Sequence, residues 1–421
     1  MIKIKKRYLI LLFFLAISIR MIYINSDLFH HDSVEYARDL ELSVSSGNLQ
    51  SGVSDRILYM IINLPFYIFF KNAYLSLNFV TILFAGLSII MLYLFLSQII
   101  SRNAAYIAAI LFCFSPLYLS ITSYPKAHSV ALFFVFLSLY LFRWNGWASG
   151  IVFCISLLAR SDNIVYLPLF YLLSYYYKKD LSKVYKPLSI IVFFLLINMK
   201  GNFLNKAVYS LIPFHFISSS LTATIHYLIH SLSIFVFLLI FFTFGLIYSV
   251  KTKVVTFLSI WFMLVSLPFV FIDVITPRYF IHAIIPLFVL IGIFLDFVTK
   301  NLKFYVVIVV VCLILLMITS IHPVLWYRHT NPTVSNFINN LPNDLPYVLE
   351  DYAIMSKYYG NLTIISPTKY AGGLAYTTNR VLDIYNLSDK KVAILNLTLD
   401  YHYRSELALN LHNVTIYKIG D

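Results

Sequence analysis

The residues Phe29-His30-His31-Asp32-Ser33-Val34-Glu35-Tyr36-Ala37-Arg38-Asp39 follow an apolar N-terminal stretch almost immediately. Ionisable groups at the edge of an apolar segment are costly to keep and point to a function. On a helix, Asp32, Glu35, Tyr36 and Asp39 fall on one face through i, i+3 and i+4 spacing. A carboxylate held there can take the proton of a hydroxyl nucleophile. Two other accounts use the same residues. Asp32 as N-cap with Glu35 reaching back makes a capping box, worth about 1 kcal/mol and no chemistry. His31 and Glu35, one turn apart with Asp32 between, make a small carboxylate–imidazole set suited to a divalent ion.

Three further segments carry cations. Asp273-Val274-Ile275-Thr276-Pro277-Arg278-Tyr279-Phe280 delivers an Arg-Tyr pair to the start of an apolar run. Arginine's planar fork suits a phosphate, and a snorkelling Arg beside an interfacial Tyr is the plainer account. Ser123-Tyr124-Pro125-Lys126-Ala127-His128 places Lys126 and His128 between two apolar runs, as ligands of an anionic headgroup or as helix-end markers. Leu158-Ala159-Arg160-Ser161-Asp162-Asn163 ends another such run, and there Arg160 and Asp162 are close enough in sequence to pair with each other.

The elements that must position these groups are membrane helices. Of 421 residues, 60% are hydrophobic and 12% charged, about half the charged share of a soluble domain. A water-soluble fold of this size cannot hide that much apolar surface, which excludes soluble enzymes, disordered chains and coiled coils. Eleven spans are expected, at about 8–24, 74–98, 104–122, 128–143, 146–160, 164–177, 187–199, 226–250, 254–272, 279–298 and 304–321. Residues 57–70, interrupted by Pro65, read as a re-entrant or interfacial piece. The basic N-terminus runs into the first span with no small-residue cleavage site before Asp27, so that span is expected to stay uncleaved. Cys113, Cys154 and Cys312 lie inside apolar runs with no CxxC pair and read as packed thiols.

Charge sets the orientation. With the N-terminus inside, the inside segments hold fourteen Lys and Arg against two acids, Asp180 and Asp296. The outside loops before the tail hold eight acids, among them Asp27, Asp32, Glu35, Asp39 and Glu41, against eight basic residues. This bias follows the positive-inside rule, supports an odd number of spans and accounts for most of the +13 net charge without nucleic acid. The N-terminus is thus expected in the cytoplasm of a plasma-membrane protein.

After Ser320 the chain becomes polar, and residues 322–421 read as a soluble extracytoplasmic α/β domain behind a membrane domain of residues 1–321. Strand-like runs at Tyr347–Leu349, Leu362–Ile365, Val392–Leu395 and Val414–Tyr417 alternate with helix-like stretches near 333–341, 352–359 and 403–411. Four N-x-S/T sequons, at Asn361, Asn386, Asn396 and Asn413, fall in this tail and none before it, which agrees with an outside location.

The topology brings the acidic first loop (within residues 25–73), Lys126, His128, Arg160 and Arg278 to one outer face, as a reaction at a lipid phosphate requires. The order of these features resembles the GT-C superfamily of polyprenyl-phosphate-sugar glycosyltransferases, above all the protein O-mannosyltransferases and the lipid A aminoarabinose transferases. The resemblance covers residues 8–298. It rests on the acidic loop around Asp32, on Ser115-Pro116 with the Phe-rich span ending Leu139-Tyr140-Leu141-Phe142, on Gly150 to Arg160 before Pro168, and on Arg278-Tyr279-Phe280 before Pro286.

The resemblance implies a fold and a reaction: an all-α polytopic bundle that moves a monosaccharide, with inversion, from a polyprenyl (dolichyl-type) phosphate to an acceptor hydroxyl on a glycan or protein. It implies Asp32 as the catalytic base, with Glu35 as the second acid of that loop. Arg278 and Tyr279, helped by Lys126, Arg160 and His128, are expected to hold the donor phosphate. A phosphate leaving group needs charge stabilisation and no proton acid, so one base and a cationic pocket suffice, and no cofactor or metal is demanded. Many relatives carry adjacent Asp-Glu in the first loop where this chain spaces Asp32 and Glu35, and Arg160 stands where a Lys is usual. Two rival expectations remain. One is a metal-dependent oligosaccharide transferase using His31, Asp32 and Glu35. The other is a transporter or lipid flippase, a class marked by mid-membrane charges and repeated halves, of which this chain shows few and none.

Overall fold

A computed structural model describes residues 6–24, 31–49, 56–177, 182–198, 253–270 and 281–299, parts of 307–322, and four strands within 347–419. The chain divides into two compact units, Met1–Ile24 with Val53–Pro323, and Asn25–Gly52 with Val324–Asp421.

The first unit is helical among its described residues: α1 (Lys6–Ile22), α3 (Ile57–Phe70), α4 (Ala73–Leu96), α5 (Arg102–Phe114), α6 (Pro116–Thr122), α7 (His128–Phe142), α8 (Gly146–Ala159), α9 (Pro168–Tyr176), α10 (Ser182–Asn198), α11 (Lys253–Val270) and α12 (Ile281–Thr299); α2 (His31–Ser46) belongs to the second unit. Among the described residues, two helices, α4 and α12 over Ile281–Val298, are long and apolar enough to cross a membrane, or three if the bent pair α5–α6 is one span. The other described helices of this unit are not both long and apolar enough, so the eleven spans read from the sequence are not established as crossings. Residues 226–250 lie outside the described residues. The apolar helices and large exposed apolar side chains such as Phe69 and Phe14 make this a membrane protein.

Proline explains two departures from the expected spans. Residues 104–122 do not form one straight helix: α5 and α6 meet at 56°. Ser115 is held extended (φ −60, ψ 134), as a residue before proline prefers, while its hydroxyl caps the new helix by accepting from the Tyr118 N–H. Residues 164–177 likewise yield a 3-10 turn over Ser161–Tyr166 and then the nine-residue α9, which starts at Pro168. Nine residues rise about 14 Å, far short of a ~30 Å apolar layer. The Pro-interrupted stretch 57–70 is a continuous helix, α3, whose Asn63 carbonyl accepts from the Ser76 hydroxyl of α4 at 3.0 Å.

Helix contacts use small and hydroxyl residues, as expected where lipid and side chains are equally apolar. Ser138 of α7 and Ser149 of α8 each donate to the other's carbonyl at 2.8 Å. Gly150 of α8 lets α10 approach so closely that a Cβ there would stand 2.7 Å from the Pro187 Cα. At Gly292 of α12 a Cβ would stand 2.5 Å from the Ala104 carbonyl oxygen of α5. That neighbour is backbone and cannot rotate away. Gly292→Val is therefore expected to part α12 from α5 and lower thermal stability in detergent, at a cost of about 1–3 kcal/mol; a melting curve equal to wild type would contradict the contact.

The second unit holds α2 and a four-stranded sheet of order β2-β1-β3-β4, with β1 (Tyr347–Leu349), β2 (Ile364–Ile365), β3 (Val392–Leu397) and β4 (Val414–Ile419). The strands match the four β-rich runs read from the sequence. β1 pairs parallel with β2 and β3, and β3 pairs antiparallel with β4. Parallel neighbours require crossover connections. The helix-like stretches 333–341, 352–359 and 403–411 lie outside the described residues. Among the sequons, Asn396 lies in β3 opposite Thr415 of β4.

Candidate donor-phosphate site

The best-built polar cluster of the first unit forms where α8 gives way to α9. α8 stops at Ala159 because Arg160 turns extended (φ −157, ψ 121), which swings its side chain over the 3-10 turn that follows. The Arg160 guanidinium then grips Asp162, donating from Nε to Oδ1 at 2.9 Å and from Nη2 to Oδ2 at 2.7 Å. This two-nitrogen grip is the strong form of the arginine–carboxylate pair. Both side chains are nearly buried, 6% and 9% exposed. Burial alone would raise the Asp162 carboxyl; the Arg160 charge and the His282 imidazole outweigh it and hold the group well below the usual carboxylate range.

Two histidines complete the cluster. Arg160 Nη1 lies 3.4 Å from Nδ1 of His128, the first residue of α7. A guanidinium only donates, so that contact makes Nδ1 the bare nitrogen of His128 and Nε2 the one carrying hydrogen. His282, in the first turn of α12, places Nε2 3.9 Å from Asp162 Oδ2 and Nδ1 2.9 Å from the Tyr166 hydroxyl. The rings of Tyr166 and His282 meet edge-on at 5.1 Å. The start of α7, the 3-10 turn and the start of α12 are thereby tied together. Asn163 is buried there with its amide nitrogen on the Ser156 carbonyl at 3.2 Å, while its Oδ1 has no hydrogen-bond partner among the described residues.

Lys126 sits two residues before His128 in the turn between α6 and α7. It is 2% exposed, and its ammonium lies 4.9 Å from the centroid of the Tyr124 ring. Burying an ammonium to this degree is expensive unless an anion or aromatic faces it. Chemically, the cluster offers a histidine N–H and a guanidinium whose charge is largely answered by Asp162, with a buried lysine in the adjoining turn.

The structure thus brings together His128 and Arg160, which the sequence had only in separate segments, with Lys126 in the turn just before His128. It also shows that Arg160 and Asp162 pair. Arg278 and Tyr279 lie outside the described residues. Asp32 and Glu35 lie in α2, in the second unit, where the helix already includes His31; the side chains of His31, Asp32 and Glu35 are outside the described set. By spacing Asp32 and Glu35 fall on the helix face of Tyr36 and Asp39; Tyr36 and Asp39 are both buried. Asp39 accepts from Arg38 at 3.0 Å. Among the described residues no group of three His, Cys, Asp or Glu is arranged to hold a metal.

Sequence reasoning passed over His282 and Tyr166. His282 stands in an apolar run with no motif around it, and its four-residue spacing from Arg278 was the one available signal.

No family model matches the chain, and no curated protein matches it by sequence. Solved structures do. ArnT from Cupriavidus metallidurans bound to undecaprenyl phosphate matches with a TM-score of 0.58 at 13% identity, over 93% of this chain and 94% of ArnT. The same enzyme in the apo state matches with 0.54 at 14% identity, over 92% and 93%. The archaeal oligosaccharyltransferase AglB from Archaeoglobus fulgidus, in complex with an inhibitory peptide and a dolichol-phosphate, matches with 0.59 at 12% identity, over 92% of this chain and 69% of AglB. At such identities the likeness speaks for the fold, and it bears out the resemblance read from the sequence: this chain has the fold of the GT-C superfamily membrane glycosyltransferases.

Proposed function

We propose that the protein is a membrane glycosyltransferase that moves a monosaccharide from a polyprenyl (dolichyl-type) phosphate to an acceptor hydroxyl on the outer membrane face, with inversion. The observation that carries this reading is the buried His128–Arg160 contact, with buried Lys126 in the turn just before His128, in a bundle whose fold is shared with proteins solved with undecaprenyl phosphate and dolichol-phosphate. A phosphate is the anion such a group fits, by charge and by directed N–H donors.

In the reaction, the acceptor oxygen attacks the anomeric carbon as the bond from that carbon to the phosphate oxygen breaks. The electron pair leaves on the phosphate, whose growing charge is answered by Lys126, Arg160, the His128 N–H and, following the family resemblance, Arg278 beside Tyr279. The acceptor proton passes to Asp32. One displacement needs one base, and no step requires a metal. The acceptor is a glycan or protein hydroxyl.

The test is sugar transfer from a radiolabelled polyprenyl-phosphate monosaccharide in membranes holding the full chain. Transfer that survives a chelator supports the reading. Transfer lost to a chelator and restored by a divalent ion would favour a metal site at His31, Asp32 and Glu35 instead. No transfer from any common donor, together with movement of the lipid across a vesicle, would favour a flippase. Arg278→Ala is expected to raise the KM for the donor by about tenfold or more, with the KM for the acceptor little changed. Equal donor KM values in the two proteins would remove Arg278 from the phosphate site.

A further inference from the structure

Arg20 sits in the last turn of α1, where a snorkelling side chain is the ordinary expectation. It is instead fully buried, at 0% exposure. Its donors are spent on neutral acceptors: Nε on the Thr122 hydroxyl at 2.8 Å, Nη1 on the Ala16 carbonyl at 2.8 Å and the Cys113 sulfur at 3.7 Å, and Nη2 on the Cys113 carbonyl at 3.4 Å. The guanidinium also lies 4.6 Å from the centroid of the Tyr118 ring. No carboxylate pairs with it among the described residues. A buried cation without a counter-ion is costly in a membrane protein, and neutral packing would stabilise the same contact more cheaply.

The acceptors show what the cation does. Cys113 belongs to the last turn of α5, where Pro116 has no N–H and the chain bends away, so the carbonyls of that turn need outside donors. Thr122 closes α6, donating its own hydroxyl to the Tyr118 carbonyl at 2.6 Å while accepting from Arg20. Tyr118 in turn hydrogen-bonds Ser88 and the Ala85 carbonyl of α4. Arg20 therefore spans both arms of the 56° bend from a third helix. The next residues after Thr122 are the turn that carries Lys126 and leads into His128 at the start of α7.

We propose that Arg20 is a positioning residue for the donor phosphate: its planar fork of hydrogen bonds sets the angle between α5 and α6, and so the place of Lys126 and His128. This rests on the reading of those two residues as phosphate ligands. The fork, more than the charge, performs the role, because each acceptor is directional and none is ionised.

The test measures binding of undecaprenyl phosphate and of the uncharged alcohol undecaprenol to the full chain in nanodiscs, for wild type and for Arg20→Lys, Arg20→Met, Thr122→Val and Lys126→Met. Wild type is expected to prefer the phosphate. Arg20→Met and Arg20→Lys are both expected to weaken phosphate binding about tenfold or more while binding the alcohol as wild type does. Thr122→Val, which keeps the side-chain shape and removes one acceptor, is expected to show a smaller loss of the same kind and guards against a failure of the Arg20 variants to fold. Full rescue by Arg20→Lys would overturn the proposal in favour of a simple charge effect. Equal losses for phosphate and alcohol would reduce Arg20 to a structural clamp, and wild-type binding in Thr122→Val and Arg20→Met would remove it altogether. Lys126→Met separates the two readings. If it loses the phosphate preference while the Arg20 variants keep it, only the Arg20 role fails. If wild type itself does not distinguish phosphate from alcohol, the phosphate site fails and the Arg20 role with it.

Discussion

Asp32→Asn is expected to abolish sugar transfer while the protein still inserts and folds. The substitution keeps the size and hydrogen-bonding reach of the side chain and removes only its capacity to hold a proton. A positioned base contributes about 10²–10⁴-fold to a rate, so the variant should fall by at least two orders of magnitude in kcat with donor binding retained. Asp32 lies in the first turn of α2, a place where a carboxylate also complements the helix dipole, so a purely structural role predicts a different outcome. α2 already includes His31, so Asp32 is not its N-cap; if Asp32 only complements the dipole of that first turn, Asn costs a little stability and turnover stays near normal. Glu35→Gln supplies the contrast. A single displacement needs one base, so the Glu35 variant should lose much less than the Asp32 variant. Equal losses would point to a paired-acid or metal site.

Asp162→Ala is expected to destabilise the protein more than any other single change in the cation cluster. It leaves the Arg160 guanidinium, 6% exposed, without the carboxylate that answers its charge. Breaking one side of a buried pair in this way costs about 3–5 kcal/mol. It should appear as a large drop in melting temperature in detergent and as loss of the folded fraction on extraction. Asp162→Asn should cost less, since an amide oxygen still accepts from the guanidinium. The double variant Arg160→Met with Asp162→Leu should recover much of the stability while losing donor binding, which separates the pair's structural role from any role at phosphate. The pair also fixes a pH dependence. The Asp162 carboxyl is held below its ordinary value, so its stabilisation is present above the unfolded-state value of about 3.9 and is lost as the pH falls further. A folded protein whose melting temperature stayed level from neutral pH to below pH 3 would contradict that assignment.

These expectations draw on two kinds of information. Composition and apolar runs determined by themselves that the chain is a bundle of membrane helices, and strand-like runs showed where the four strands of the tail lie, whereas the starts of α6 at Pro116 and α9 at Pro168 fell inside single expected spans. Such runs are local: a stretch of apolar residues acts on its own neighbours whatever surrounds it. The order of an acidic first loop and later basic loops also carried the family resemblance that the fold bears out.

What packs against what was decided only by the tertiary structure. Nothing in the sequence joins His282 to Tyr166 and Asp162, or Arg20 to Thr122 and Cys113, because those partners are about a hundred residues apart and the side chains are unremarkable in their own segments. The same holds for the close approach of Gly292 to Ala104. The length of each helix was also beyond the sequence. A hydrophobic run sets an upper bound on a span, whereas a bend at proline or a 3-10 turn ends the helix early once neighbouring helices supply partners for the freed backbone groups. Charge reads the same way. The sequence counted Arg20 and Arg160 as two positive charges among 31, and the packing made one the answered half of an ion pair and the other a buried fork held by neutral acceptors.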